Sequence, residues 1–185
     1  MRLKVLIWTH HPGDLLGDAI DFLTHGTAQH GGWLDIDGTV VEAYWPKLRR
    51  RALIPEELQY IRSFTIRGIS PEQEIDVSKL LALNLVYPPK YSGWDLFGFL
   101  FNKPNTNENS TFCSRYVQHT CEMVLPQDLW PLIRCMDDDW VSPRDLFISN
   151  MLIPCPLFDD VAVSGSNEKP AAAAATTTPP APDYG

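Results

Sequence analysis

The stretch HGTAQHGGWLDIDGTVVEAYW, residues 25–45, decides the fold. It reads as two short strands around a turn at Asp37-Gly38, residue types that tolerate positive φ. Two turn lengths are possible, and they differ in chemical consequence. A two-residue turn at Asp37-Gly38 pairs Trp33 with Glu42 and sends Glu42 and His30 to opposite faces of the sheet. A three-residue turn, Ile36-Asp37-Gly38 with the glycine as a bulge, pairs Gly32 with Glu42 and puts both side chains on one face. A histidine that is to act as a base needs a polar group to orient it, so a functional role for this pair requires the second register.

Working outward, Leu15, Leu16, Ala19, Ile20 and Leu23 recur at helical spacing, so a short amphipathic helix is expected to end near Gly26. Downstream, Tyr60, Phe64 and Ile66 share one parity and suggest another strand. Ser70-Pro71-Glu72-Gln73 resembles a capping box with proline at the first helical position, opening a helix through about Leu83. A loop rich in proline, glycine and asparagine follows, interleaved with the aromatic run YSGWDLFGFLF. Next, Cys113, Tyr116, Val117, Thr120, Cys121 and Val124 fall on one face of a helix, with Ser110 as the expected N-cap. SPRDLF, residues 142–147, repeats the serine–proline start signal before another short helix.

The 185 residues suit one domain with a sizeable core. That domain is expected over residues 1–163. From Ser164 to Gly185 the alanine-, threonine- and proline-rich composition leaves little that could enter a core, and reads as a disordered tail. A formal net charge of −8 argues against a nucleic-acid partner held by phosphate neutralisation. The only dense positive patch, Lys47-Leu48-Arg49-Arg50-Arg51, reads as a solvated charged face rather than an acidic-ligand site.

The four cysteines, Cys113, Cys121, Cys135 and Cys155, are not spaced as a disulfide scaffold and read as reduced thiols. They also lack the pair spacing of structural zinc, and no metal or cofactor is expected. No signal peptide is evident at the N-terminus, and no apolar run approaches the roughly 20 residues of a membrane span, so a cytoplasmic or virion-associated protein is expected.

Two readings of Cys113 stand side by side. In the first turn of a helix, orphan N–H groups and the positive end of the dipole favour a thiolate. A cysteine on an apolar helix face is also commonly a small buried hydrophobe, which is the reading for Cys121. Among the histidines, His10 and His11 precede a Pro-Gly turn, and His119 lies off the apolar face of its helix. His25 competes with His30 as the base.

Taken in order, PGDLL, AIDFLTHGTAQHGGWL, TVVEAYW, FCSRYV and SPRDLF resemble the permuted branch of the NlpC-type papain-like superfamily, which includes the YiiX-like and YebB-like proteins. The resemblance spans roughly residues 10–150, and the joint order of the motifs is its specific part. It implies a circularly permuted papain-like α+β fold, with an antiparallel sheet packed against the helix that carries the nucleophilic cysteine.

Position by position, the resemblance places the nucleophile on Cys113, the base on His30 and the orienting carboxylate on Glu42. It also matches Tyr91 to a family tyrosine ahead of the cysteine. Two departures, Gln29 in place of a serine and Trp33 in place of a small aliphatic residue, put Trp33 beside substrate entry. The implied activity is a cysteine hydrolase of bacterial or bacteriophage biology acting on a peptide, a cell-wall peptide or a lipid-like acyl substrate. The alternative is a non-catalytic interaction or assembly module that retains the fold.

Overall fold

The computed structural model describes residues 1–9, 28–44, 47–91, 110–132 and 141–158. The expected helix at Leu15–Leu23, the residues His10, His11, His25 and Cys135, the aromatic run after Tyr91, and the tail from Ser164 lie outside these residues. So does the expected domain boundary at residue 163.

The described chain is mixed α+β. Strands β1 (Lys4–Trp8), β2 (His30–Leu34), β3 (Val40–Tyr44), β4 (Lys47–Arg51), β5 (Ile61–Ile66) and β8 (Leu152–Pro154) form one antiparallel sheet in the order β4-β3-β2-β1-β5-β8. Two short strands, β6 (Lys90–Tyr91) and β7 (Ser110–Thr111), pair in parallel beside it. The described helices are α1 (Pro71–Val86), α2 (Cys113–Val124) and α3 (Pro143–Phe147). None is long and apolar enough to cross a membrane.

The hairpin takes the three-residue turn. Trp33 pairs with Val41 and Leu34 with Val40, a register that sets Gly32 opposite Glu42. The Asp35 N–H donates to the Thr39 carbonyl at 2.8 Å and the Gly38 N–H to the Asp35 carbonyl at 2.9 Å. Gly38 sits at φ 84°, a left-handed conformation that glycine adopts without steric cost.

Both faces of the central strands are covered, so β1 is buried at every position. On one face Val5, Ile7, Trp33, Val41, Ala43, Phe64 and Ile66 meet Val77 and Leu81 of α1 and Tyr116, Val117 and Cys121 of α2. On the other, Leu6, Trp8, Leu34, Val40 and Ile61 form a smaller cluster with Leu53 and Leu157. His30 and Glu42 belong to this second face, because side chains alternate along a strand.

The three helices begin differently. Ser70 and Ser142 each accept a hydrogen bond from the backbone three residues on, while Gln73 and Asp145 reach back, so α1 and α3 both open with complete capping boxes. Helix α2 does not start at the expected Ser110. Ser110 and Thr111 are consumed by pairing with Lys90 and Tyr91. Phe112 becomes the N-cap, with no side-chain hydrogen bond, and Cys113 is the first helical residue.

Candidate active site

Cys113 stands where the start of α2 meets the start of β2. The two starts pack together at Gly31, where a Cβ would lie 3.7 Å from the Ser114 Cα and 3.8 Å from the Cys113 carbonyl oxygen. The N–H groups of Gly31 and Ser114 point at the sulfur. With no side chain capping α2, first-turn donors that a serine would otherwise engage remain available to an anion.

His30 opens β2 and Glu42 lies in the middle of β3. The His30 Nε2 is 2.8 Å from Glu42 Oε2. With Nε2 so engaged, Nδ1 is the nitrogen left for the Cys113 sulfur, with which His30 also hydrogen-bonds. The His30 side chain is 20 % exposed and that of Glu42 only 1 %. Among the described residues, two aromatic rings flank the imidazole: Trp8 at 5.0 Å between centroids and Tyr44, edge-on, at 6.1 Å.

Each member of this row shifts the titration of the next. Burial opposes charge on Cys113, but the charge and hydrogen bond of His30, with the Gly31 and Ser114 N–H groups, bring its thiol below the ordinary value. Burial likewise opposes charge on His30, yet Cys113 and Glu42 together raise the imidazole to about 10. Glu42 is desolvated too, and the hydrogen bonds and charges of His30 and Arg51 still hold its carboxyl well below the usual carboxylate range. The arrangement favours a thiolate–imidazolium pair. Cys121, two turns along α2 and fully buried, is shifted the other way, its thiol pushed well above the ordinary value by desolvation.

The positive patch on β4 is solvated only in part: Lys47 and Arg50 are exposed, while Arg49 and Arg51 are half-buried. Arg49 donates from Nε at 2.8 Å, and Arg51 from Nε at 2.6 Å, to Oε1 of Glu42. Arg50, on the opposite face, instead pairs with Asp35 at 2.7 Å and Asp37 at 3.1 Å. The signal for this division lies in the strand period: Glu42 pairs with Arg49 across β3 and β4, and Arg51 shares its parity. Asp35 and Asp37 are thus committed to Arg50 rather than to His30.

Trp33, placed beside substrate entry by the resemblance, lies in the interior. It is fully buried and packs in the core on the helix-covered face, opposite to His30. The register that unites His30 with Glu42 requires this outcome, because Trp33 has the other parity. The backbone of Tyr91 pairs with Thr111, two residues ahead of Cys113. His119 is on the exposed side of α2, 3.8 Å from Glu122. Among the described residues no group of three or more His, Cys, Asp or Glu side chains could hold a metal ion.

No protein-family model matches the chain, and no curated protein matches it significantly.

Proposed function

We propose that the protein is a cysteine hydrolase of the permuted papain-like kind, cleaving an amide or ester bond through Cys113, His30 and Glu42. The observation that carries this reading is the row itself: a helix-start thiol, a histidine in hydrogen-bonding reach of it, and a buried carboxylate 2.8 Å from the far nitrogen of that histidine. The order of elements, a histidine–glutamate hairpin ahead of the cysteine helix on an antiparallel sheet, supports the permuted papain-like assignment.

In the proposed reaction the Cys113 thiolate attacks the substrate carbonyl and forms a C–S bond. Negative charge on the carbonyl oxygen is met by the Cys113 backbone N–H at the uncapped start of α2. The imidazolium of His30 gives its proton to the departing amine or alcohol as the C–N or C–O bond breaks, leaving a thioester. Water then attacks the thioester and gives a proton to His30, the acid departs, and the thiolate is restored. Glu42 keeps the ring in register throughout. Peptides, cell-wall peptides and lipid-like acyl groups all present the required carbonyl.

The test pairs labelling with turnover. A thiol-directed electrophile should label Cys113 much faster than the other cysteines in the folded chain, and a panel of peptide amides, cell-wall peptides and acyl esters should yield a substrate that Cys113→Ser no longer cleaves. Equal labelling of the cysteines, or hydrolysis undiminished in Cys113→Ser, would refute the enzyme and leave a binding module on the same fold.

A further inference from the structure

Glu42 is held by more than an orienting carboxylate requires. Its Oε2 serves His30, while both Arg49 and Arg51 converge on Oε1. Each arginine also touches one of the two rings that flank His30: the Arg49 guanidinium lies 3.7 Å over Tyr44, and that of Arg51 lies 5.9 Å over Trp8. Arg51 is itself fixed from behind by Glu57, 2.9 Å away in the 3₁₀ turn Pro55–Tyr60. The charged and titratable groups facing Glu42 among the described residues are therefore His30 from β2 and Arg49 and Arg51 from β4, with Tyr44 beside them. Glu57 lies behind Arg51, and Cys113 lies behind His30.

We propose that Arg51, backed by Arg49, is a positioning residue of this site: a guanidinium clamp that keeps Glu42 an anion and so fixes the His30 ring with Nδ1 toward Cys113. The inference rests on the reading of Cys113 and His30 as nucleophile and base.

The physical argument concerns what a buried carboxyl does without such partners. Desolvation favours the neutral acid. A neutral acid can donate as well as accept, so it no longer dictates which imidazole nitrogen carries a proton. An anion only accepts, which obliges His30 to present Nε2–H to it and leaves Nδ1 for the sulfur. The contacts through Trp8 and Tyr44 extend the same hold to the sides of the ring. Strand geometry assigns the role to residues 49 and 51 and withholds it from Arg50, which faces the other way with Asp35 and Asp37.

The experiment uses the full chain and iodoacetamide, reading modification of Cys113 by peptide mass against pH, with a cooperative thermal transition and an unlabelled Cys121 as evidence of folding. Arg51→Met keeps much of the apolar stem and removes the clamp. It should move the acid limb of Cys113 labelling upward by about one pH unit, a roughly tenfold loss of rate at any pH on that limb. Arg51→Lys, which restores the charge but not the fork, should recover part of the shift. Arg50→Gln removes the same charge from the same strand and should leave the limb in place.

If Arg51→Met does not fold, Arg49→Met at its half-exposed position decides, with a smaller shift in the same direction. A limb unmoved in a folded Arg51→Met or Arg49→Met protein, or moved equally by Arg50→Gln, would overturn the clamp while leaving the nucleophile intact. A wild-type Cys113 that labels like an ordinary thiol would overturn the clamp and the hydrolase together.

Discussion

At the scale of single residues, reactivity depends on where a thiol stands. Cys113 and Cys121 share a helix and a face, yet one has an imidazole and two N–H donors at its sulfur and the other lies desolvated beside Glu122. Alkylation of Cys113 should therefore persist below the ordinary thiol pKa of about 8.5, and His30→Ala should carry its onset back toward that value. Cys121 should stay slow at any pH where the fold holds. An unchanged onset in a folded His30→Ala protein would show that the imidazolium contributes nothing to the thiolate.

Glu42→Gln preserves shape but leaves two arginines without their shared anion. Because Arg49 and Arg51 retain some access to water, a loss of about 2 kcal/mol is expected rather than the larger cost of a fully buried orphan. Chemical denaturation would measure it.

Among elements, the hairpin is the decisive one, and the two glycines of β2 are not equivalent. A Cβ on Gly31 would find neighbours no closer than 3.6 Å, ordinary contact distance. One on Gly32 would sit 3.1 Å from the Glu42 Cβ and 3.2 Å from the Val41 carbonyl oxygen, against backbone that cannot yield cheaply. Gly32→Val should thus cost about 1–3 kcal/mol by overpacking and displace Glu42, whereas Gly31→Ala should be close to neutral in a thermal melt. Equal melting temperatures for the two variants would contradict the register. Removing the Ser70 cap from α1 as Ser70→Ala should cost about 1 kcal/mol, read from the same melts.

What was legible in the sequence follows from the range of the interactions. The capping boxes at Ser70 and Ser142 are written within four residues, so they can be read locally. The hairpin register was legible because only one turn length lets His30 and Glu42 share a face. The start of α2 was not, since Ser110 is claimed by Lys90 across a long intervening segment. The arginines looked like a solvated run because their partner lies on the neighbouring strand; parity with Glu42 was the available clue. The same parity turns Trp33, an odd position on β2, toward the helices.

For the molecule as a whole, titration of the site becomes a dependence of stability on pH. In an unfolded chain cysteine releases its proton near about 8.5 and histidine near about 6.5. The folded protein depresses Cys113 and raises His30 to about 10. The Cys113 contribution is complete above about 8.5 and is lost as pH falls toward its depressed folded value, whereas the His30 contribution is complete below about 6.5 and is lost as pH rises toward 10. Above about 8.5 unfolding releases the His30 proton, so stability falls toward pH 10. On the acid side the loss follows Cys113, as pH falls through its depressed folded value. Glu42 adds a further loss below about 4.3, because its folded carboxyl is depressed. Melting temperatures should fall between about 8.5 and 10, a fall that is lost in His30→Ala; a wild-type profile that keeps rising above about 8.5 would contradict the ion pair.

The outermost strand has a consequence for when the site comes into being. Strand β8 closes the sheet against β5 from near the end of the described chain, and Lys4 on β1 is tied to the Pro156 and Leu157 carbonyls at 2.7 and 3.0 Å. The hairpin that holds His30 and Glu42 is local and can form early, whereas closing long loops is slow. A growing or misassembled chain therefore carries an ordinary, quiescent thiol. On the proposed reading the sulfur is activated only once the start of α2 and the hairpin have met, so labelling of Cys113 reports when those two elements have come together.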